Sequence, residues 1–164
     1  MRFLSKYPHK GQVRTTFHGM SSIAAGCDHG GFLLKNLLID YLTEQSHEVL
    51  DLGTHSLARV DYPDYAEAVA RSVAAGEADF GLLVCGSGIG VCMAANKIQG
   101  IRAATVYDVT SAHLSREHND ANIICLGERL TGPEVAKEAV DVFLQSKFQD
   151  GRHAARIKKI DDLR

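Results

Sequence analysis

From Ile23 onward the sequence alternates short apolar runs with segments of helical periodicity, and this alternation limits the folds that the chain can adopt. The predicted strands are 23–27, 49–52, 80–85, 101–106 and 122–126. The predicted helices are 31–45, 63–75, 89–97, 109–118, 132–146 and a last one that ends near residue 161. Regular alternation is typical of a parallel sheet with helices on both faces. We therefore predict an α/β fold: a three-layer, doubly wound, five-stranded parallel sheet in the order 2-1-3-4-5, followed by a C-terminal helix.

The length of 164 residues suits one domain, which we place at residues 21–164. Residues 1–20 are interpreted as an N-terminal extension, because they lack the apolar core of a secretory signal and Met20 stands directly before the first predicted strand. The net charge of -2 does not favour a general nucleic-acid binder. No run approaches the roughly 18 apolar residues of a membrane span, so we expect no membrane partner.

Four cysteines, at positions 27, 85, 92 and 125, form no C-x-x-C pair. This pattern favours reduced thiols in a cytoplasmic protein over a disulfide framework or a zinc site. His113 and His118 are five residues apart and so do not share a helix face as zinc ligands would. We expect neither a metal nor a cofactor.

The pattern of a buried strand ends at Cys85 and is followed by Gly86, Gly88 and Gly90, and then by a helical segment. Glycines let the backbone approach a ligand closely, and the free N–H groups of a helix start point toward negative charge. A thiolate is favoured in the same place, so Cys85 is a candidate reactive group. The same residues would also fit a tight turn beside a small buried cysteine.

Two further polar groups are candidates for ligand binding. Asp28 and His29 directly follow the first predicted strand and should lie beside the glycine loop at the carboxyl edge of the sheet. Arg152 and Arg156 are four residues apart and share a helix face, an arrangement that suits a phosphate. The alternatives are an ordinary loop for the first pair and a solvated surface for the second.

From about Ile23 to its end the chain resembles the B-type ribose-5-phosphate isomerases, a group that includes isomerases of related sugar phosphates. The matching stretches are Gly26-Cys27-Asp28-His29-Gly30-Gly31, Asp61-Tyr62-Pro63-Asp64-Tyr65-Ala66, Cys85-Gly86-Ser87-Gly88-Ile89-Gly90, Ala94-Ala95-Asn96-Lys97, Ile101-Arg102-Ala103, Ser115-Arg116-Glu117-His118-Asn119-Asp120-Ala121-Asn122 and Gly151-Arg152-His153. They occur in order along nearly the whole chain, which makes the resemblance far more specific than one glycine loop.

The resemblance implies an aldose–ketose isomerase that interconverts ribose 5-phosphate and ribulose 5-phosphate through an enediolate. Cys85 would be the base that moves a proton between C2 and C1 of the opened sugar, and His118 would help to open the furanose ring. Ser87 and the backbone of Gly86, Gly88, Ile89 and Gly90 would hold the enediolate. The remaining implied contacts to sugar or phosphate are Asp28, His29, Asn119, Arg129, Arg152 and Arg156.

Two alternatives remain at this stage. The substrate is a different aldose phosphate, such as allose 6-phosphate or galactose 6-phosphate, or the chain is a dinucleotide-binding module with Asp108 on the ribose. The second alternative is disfavoured because the loop reads G-x-G-x-G and follows the third strand.

Topology also predicts where the candidate residues lie relative to one another. Cys85, Asp28, His29 and Arg129 follow strands and share the carboxyl edge, whereas the helix that ends at His118 runs back to the opposite edge. Arg152 follows another returning helix. We therefore predict a homodimer with shared active sites, alone or as a dimer of dimers, in which His118 of one subunit faces Cys85 of the other.

Overall fold

The structure is a computed structural model that describes residues 19–163 of the chain. The predicted N-terminal extension, residues 1–20, lies outside the described residues except for its last two. The strands are β1 (Ser22–Cys27), β2 (Glu48–Asp51), β3 (Phe80–Cys85), β4 (Ala103–Thr105) and β5 (Ile123–Gly127). The helices are α1 (Phe32–Glu44), α2 (Tyr62–Ala74), α3 (Ile89–Ala95), α4 (Val109–Asn119), α5 (Pro133–Gln145) and α6 (Ala154–Asp161).

The five strands form one parallel sheet in the order β2-β1-β3-β5-β4. The α/β class, the parallel sheet and the C-terminal helix are confirmed, but the predicted order 2-1-3-4-5 is wrong at its end, where β5 lies between β3 and β4. Burial explains the difference. All five residues of β5 are buried, as a central strand requires, whereas β4 has three residues that are only partly buried and suits the edge.

Side chains alternate along each strand and form two apolar cores, one on each face of the sheet. On one face α1, α4 and α5 pack against the sheet, with Leu38, Leu42 and Phe143 fully buried. On the other face α2 and α3 pack around Val69 and Val91. The three layers of helices, sheet and helices are as predicted.

Local chemistry fixes where several helices begin. Asp108 caps α4, since its carboxylate accepts the Ser111 N–H at 2.7 Å and the Ser111 hydroxyl lies 3.2 Å from the Asp108 N–H. Before α1, a Cβ at Gly31 would lie 2.5 Å from the Val84 carbonyl oxygen, so only glycine lets this turn approach the end of β3. The first turn of α1 is thereby held beside the glycine loop. Among the described helices, none is long and apolar enough to cross a membrane.

Candidate active site

The carboxyl ends of β1, β3 and β5 meet around a cavity of about 520 Å³. Eight of the residues singled out from the sequence line it: Asp28, His29, Cys85, Gly86, Ser87, Ile89, Gly90 and Arg129. Gly30, Tyr62 and Leu130 complete the lining. The edge of the sheet predicted to carry the site therefore does bring the loops after β1, β3 and β5 together.

Cys85 is the last residue of β3, and its side chain is almost entirely buried on the α2–α3 face. Its sulfur accepts a hydrogen bond from the Gly88 N–H at 3.1 Å. Its carbonyl oxygen accepts the Glu128 N–H at 2.9 Å, so the loop after β5 holds the backbone at this point. The thiol therefore has a fixed direction at the inner wall of the cavity.

Gly88 makes the turn from β3 into α3. Its φ of +77° lies in the left-handed region, and a Cβ there would lie 2.9 Å from the Leu126 carbonyl carbon. Any other residue would be strained and would collide with the backbone of β5. Gly88 itself is not exposed to the cavity, but it aims its N–H at the Cys85 sulfur. Beside it, the Ser87 hydroxyl accepts the Ile89 N–H at 3.3 Å.

Asp28 and His29 line the cavity beside the glycine loop, since a Cβ at the next residue, Gly30, would lie 3.3 Å from the Gly86 nitrogen. The Asp28 carboxylate accepts the Gly30 N–H at 2.9 Å, which closes the turn after β1. His29 Nδ1 accepts the Val60 N–H at 3.3 Å. That bond requires an unprotonated Nδ1, so the neutral ring carries its proton on Nε2 and can donate it to a ligand.

Arg129 supplies positive charge to this cavity. Its guanidinium lies over the glycine loop, 3.4 Å from where a Cβ of Gly86 would stand. Within residues 19–163 it has no ion-pair partner. An exposed guanidinium with no carboxylate nearby is suited to bind an anionic ligand.

Besides Gly88, four predicted site residues do not line this cavity: His118, Asn119, Arg152 and Arg156. His118, near the end of α4, stacks on His153 with ring centroids 4.4 Å apart and an angle of 9° between the planes. Arg152 Nε donates to His153 Nε2 at 3.2 Å, which requires a neutral His153 ring. Burial, followed by the positive groups of His118, Arg152 and Arg156, lowers the pKa of His153 below its usual 6.5.

The strand register shows how far His118 lies from Cys85 along the sheet. The Gly81 N–H donates to the Asn122 carbonyl just after α4 ends, whereas Cys85 pairs with Gly127 at the far end of β5. The four residues from Gly81 to Cys85 span roughly 13 Å at about 3.3 Å per residue. His118 thus lies toward the amino edge of the sheet and Cys85 at the carboxyl edge, as the topology predicted.

A larger depression, of about 900 Å³, lies between the loop after α3 and the end of α6. It contains none of the residues predicted to act on a ligand. Across the described part of the chain, no group of three or more His, Cys, Asp or Glu side chains is placed to hold a metal ion.

The family model described as Ribose/Galactose Isomerase matches residues 23–160. Ribose-5-phosphate isomerase B of Escherichia coli strain K12 is 49% identical over 86% of this chain and 95% of its own. The type B ribose 5-phosphate isomerase structure from Trypanosoma brucei is 51% identical, with a TM-score of 0.84 over 87% of this chain and 98% of that one. The galactose-6-phosphate isomerase subunit LacB of Clostridium acetobutylicum is 42% identical over 86% of this chain and 82% of its own.

The chain belongs to the ribose/galactose isomerase family. The family predicted from the sequence is confirmed, and with it an enzyme of the isomerase class. The family match leaves no support for a dinucleotide-binding module, and the structure places the glycine loop after β3, not β1.

Two ring-bearing side chains, Tyr62 at the cavity and His153 against His118, were given no role in the sequence analysis. Tyr62 lies over the glycine loop, where a Cβ at Gly90 would be 2.7 Å from its ring. Its position within the matching stretch around Pro63 was the available signal. His153 is the buried stacking partner of His118, and only its place beside Arg152 in a matching stretch pointed to it.

Proposed function

We propose that this chain interconverts ribose 5-phosphate and ribulose 5-phosphate. The observation that carries the proposal is the Cys85 thiol at the end of β3, directed by the Gly88 N–H within a cavity that also presents Asp28, His29 and Arg129. Membership of the ribose/galactose isomerase family supports the same reaction. Aldose–ketose isomerisation needs a base at an acidic C–H, stabilisation of negative charge on two oxygens, and an anchor for the phosphate.

In this proposal Cys85, as the thiolate, removes the proton from C2 of the opened aldose. The C2–H electron pair forms the C1–C2 double bond, and the carbonyl oxygen at C1 becomes the enediolate oxygen. A proton also moves from the C2 hydroxyl to the oxygen on C1. Cys85 then returns its proton to C1, and the electron pair left on the C2 oxygen forms the C2 carbonyl of the ketose. The Ser87 hydroxyl and the glycine-loop N–H groups at the cavity stabilise the enediolate by donating hydrogen bonds. The Gly88 and Ile89 N–H groups are not among them, because they donate to the Cys85 sulfur and the Ser87 hydroxyl.

Asp28 and His29 contact sugar hydroxyls or phosphate from the loop after β1. The carboxylate of Asp28 accepts hydrogen bonds from hydroxyl groups, and His29 Nε2 donates one. Arg129 binds negative charge. These assignments account for every predicted residue that lines the cavity.

We further propose a homodimer in which His118, Asn119, Arg152 and Arg156 of the partner subunit complete each site. The separation of these residues from Cys85 within one chain supports this arrangement. So does an apolar rim around the mouth of the cavity, formed by Tyr62, Ile89 and Leu130, which are 40%, 42% and 59% exposed. Apolar surface of this kind is typical of a surface that another chain covers. Ring opening by the partner's His118 then occurs beside the base.

We place the enzyme in the cytoplasm. All four cysteines are free thiols, a state that is usual in reducing compartments. The proposed chemistry also depends on one of them being reduced.

The substrate test is a panel of ribose 5-phosphate, allose 6-phosphate and galactose 6-phosphate under steady-state conditions. We expect kcat/KM for ribose 5-phosphate to exceed the others by about tenfold or more, which corresponds to about 1.4 kcal/mol of discrimination. A preference for either hexose phosphate would move the assignment to that sugar. Absence of isomerisation with all three would overturn the proposal.

The shared site is tested by mixing Cys85→Ala and His118→Ala subunits, each inactive alone. Heterodimers would contain one site with both groups intact, so random exchange should restore about a quarter of the wild-type activity. The control is a mixture of Cys85→Ala with a Cys85→Ala, His118→Ala double variant, which cannot form an intact site. If mass spectrometry shows exchange and no activity returns, the sites are not shared.

A further inference from the structure

Lys35 is a charged side chain that lies completely inside the protein and has no part in the proposed reaction. It stands in the first half of α1, and its side chain has no exposed surface. Its ammonium group donates to the Asp51 carboxylate at 2.6 Å and to the Thr54 carbonyl oxygen at 3.1 Å. A buried ammonium is costly unless it is paired and hydrogen-bonded, so Lys35 depends on both partners.

Both partners of Lys35 lie at the base of the loop that joins β2 to α2, residues 52–61. Asp51 is the last residue of β2, and the carboxylate oxygen that meets Lys35 also accepts the Gly53 N–H at 3.0 Å. The Thr54 N–H donates to the Cys27 carbonyl oxygen at 2.8 Å, so this part of the loop continues alongside β1. Lys35 therefore joins α1 to the loop at the point where the chain leaves the sheet.

The far part of this loop reaches the cavity. Within the described part of the chain, residues 55–60 make no backbone–backbone hydrogen bond. Their link to the cavity is the Val60 N–H, which donates to His29 Nδ1 at 3.3 Å. That bond keeps the proton of the neutral His29 ring on Nε2, the nitrogen that can donate to a ligand. The position of Val60 therefore depends on how the two ends of the loop are held, and Lys35 holds the first of them.

We propose that Lys35 is a positioning residue for substrate binding, because it holds the β2–α2 loop so that Val60 keeps His29 Nε2 as a hydrogen-bond donor to the substrate. This inference rests on the isomerase function and on the His29 contact proposed above. Lys35 does not line the cavity. Without its ammonium, the carbonyl of the buried Thr54 loses its charged donor, and the base of the loop is no longer tied to α1. The Val60 N–H then leaves His29, whose neutral ring can carry its proton on either nitrogen.

The kinetic test compares Lys35→Met with the wild-type enzyme. Methionine keeps an unbranched side chain in the core and removes the ammonium. We expect KM for ribose 5-phosphate to rise about tenfold, roughly the contribution of one hydrogen bond to a charged group, and kcat to stay within about threefold. Asp51→Asn is the second variant, since its partly exposed position tolerates the change if Lys35→Met does not fold. It should raise KM about threefold or more, because the ammonium loses its charged partner.

Leu38→Ala is the matched control. Leu38 lies three residues beyond Lys35 on α1, is fully buried and packs in the apolar core. Its replacement should lower the unfolding midpoint and leave KM within about twofold. His29→Ala tests the route of the effect: it should raise KM about tenfold, and adding Lys35→Met should raise KM by no more than about twofold further. Independent losses would instead multiply to about a hundredfold.

Nuclear magnetic resonance of protein labelled with ¹⁵N-histidine reports on the ring directly and needs no substrate. At about pH 8, where an ordinary imidazole is neutral, His29 should carry its proton on Nε2 in the wild type and in Leu38→Ala. In Lys35→Met and Asp51→Asn the ring should be a mixture of both tautomers. The signal is assigned by its absence from the spectrum of His29→Ala.

A wild-type KM in Lys35→Met or, where that variant does not fold, in Asp51→Asn would overturn the proposal. So would an equal rise of KM in Leu38→Ala, losses that multiply in the double variant, or an unchanged His29 tautomer in the Lys35 and Asp51 variants. If the wild-type protein does not isomerise ribose 5-phosphate, the proposed function fails, and the ring spectra still decide whether Lys35 fixes His29.

Discussion

Replacing Gly88 with alanine tests whether the glycine turn directs the reactive sulfur, and Gly100→Ala is its matched control. Both glycines have positive φ, +77° and +83°. A Cβ at Gly100 has no atom within 4 Å, whereas one at Gly88 would lie 2.9 Å from the Leu126 carbonyl carbon and 3.2 Å from the Cys125 carbonyl oxygen. The two variants share the backbone strain, and only Gly88→Ala adds a collision with a central strand.

The backbone strain and the collision with β5 each lower the free energy of unfolding, and the two losses can be estimated separately. A left-handed conformation costs a residue other than glycine about 1–2 kcal/mol, which is the full expected loss of unfolding free energy for Gly100→Ala. Gly88→Ala should lose about 1–3 kcal/mol more, because the backbone of β5 cannot rotate away as a side chain could. Relieving the collision moves the Gly88 N–H from the Cys85 sulfur, and losing one positioned donor in an active site costs about 10²–10³ in turnover.

Denaturant unfolding and steady-state isomerase assays on both variants give the answer. We expect Gly100→Ala to be less stable and fully active, and Gly88→Ala to be both less stable and about a hundredfold or more slower. Turnover of Gly88→Ala equal to that of Gly100→Ala would refute the role of Gly88 in directing the thiol. Equal stabilities would refute the collision with β5.

Four other outcomes are expected. Cys85→Ala should lower turnover by about a hundredfold or more, and substrate should protect Cys85 from iodoacetamide; near-normal turnover would remove it as the base. Activity should survive exhaustive dialysis against EDTA, and a loss restored by one divalent ion would contradict a metal-free site. Because the pKa of His153 is below 6.5 in the folded chain, the unfolded chain binds that proton more readily, so the unfolding midpoint should fall as the pH drops below 6.5, and less so in His153→Gln. A chain that begins at Met20 should fold and turn over normally, and insolubility or inactivity would argue against a dispensable extension.

The sequence located all five strands because apolar runs mark buried strands whatever their neighbours. It did not fix the ends of β4, which is shorter than the predicted 101–106. The side chain of Asn122 accepts the Arg102 N–H, and that of Asn96 accepts the Ala103 N–H, at 2.8 and 2.9 Å. At this edge, side-chain amides thus accept the hydrogen bonds that a neighbouring strand would otherwise accept. Bonds between residues far apart in the chain leave no local pattern in the sequence, so the bounds of β4 could not be predicted.

The order of β4 and β5 also required tertiary information. Right-handed crossovers allow either strand to follow β3 in the sheet. Burial decides which of the two strands lies next to β3, because the Ile-Ile-Cys-Leu-Gly run of β5 can be covered on both faces. The predicted fourth strand carries Arg102, whose guanidinium ends in ion pairs with Asp120 and Asp161, and this charge favours the edge.

The candidate site was more predictable than the sheet order, since parallel strands bring their carboxyl ends to one edge whatever their order. This rule alone was enough to predict that Asp28, Cys85 and Arg129 lie together. Tyr62 opens a helix after a long loop rather than following a strand directly, so the same rule could not include it.

The sequence alone does not show which arginines bind a ligand and which stabilise the fold. Arg102 and Arg116 both pair with Asp120 at 2.9 and 2.8 Å, and so tie the start of β4 and the end of α4 to the turn before β5. In the part of the chain that the structure describes, Arg129, Arg152 and Arg156 have no carboxylate within ion-pair distance. A guanidinium that already has a carboxylate gains little from a phosphate, whereas one without gains a charge-assisted pair. Arg129 lies at the cavity and Arg152 and Arg156 lie far from it on the same chain, and all three would contact one phosphorylated substrate if that substrate were bound between two chains.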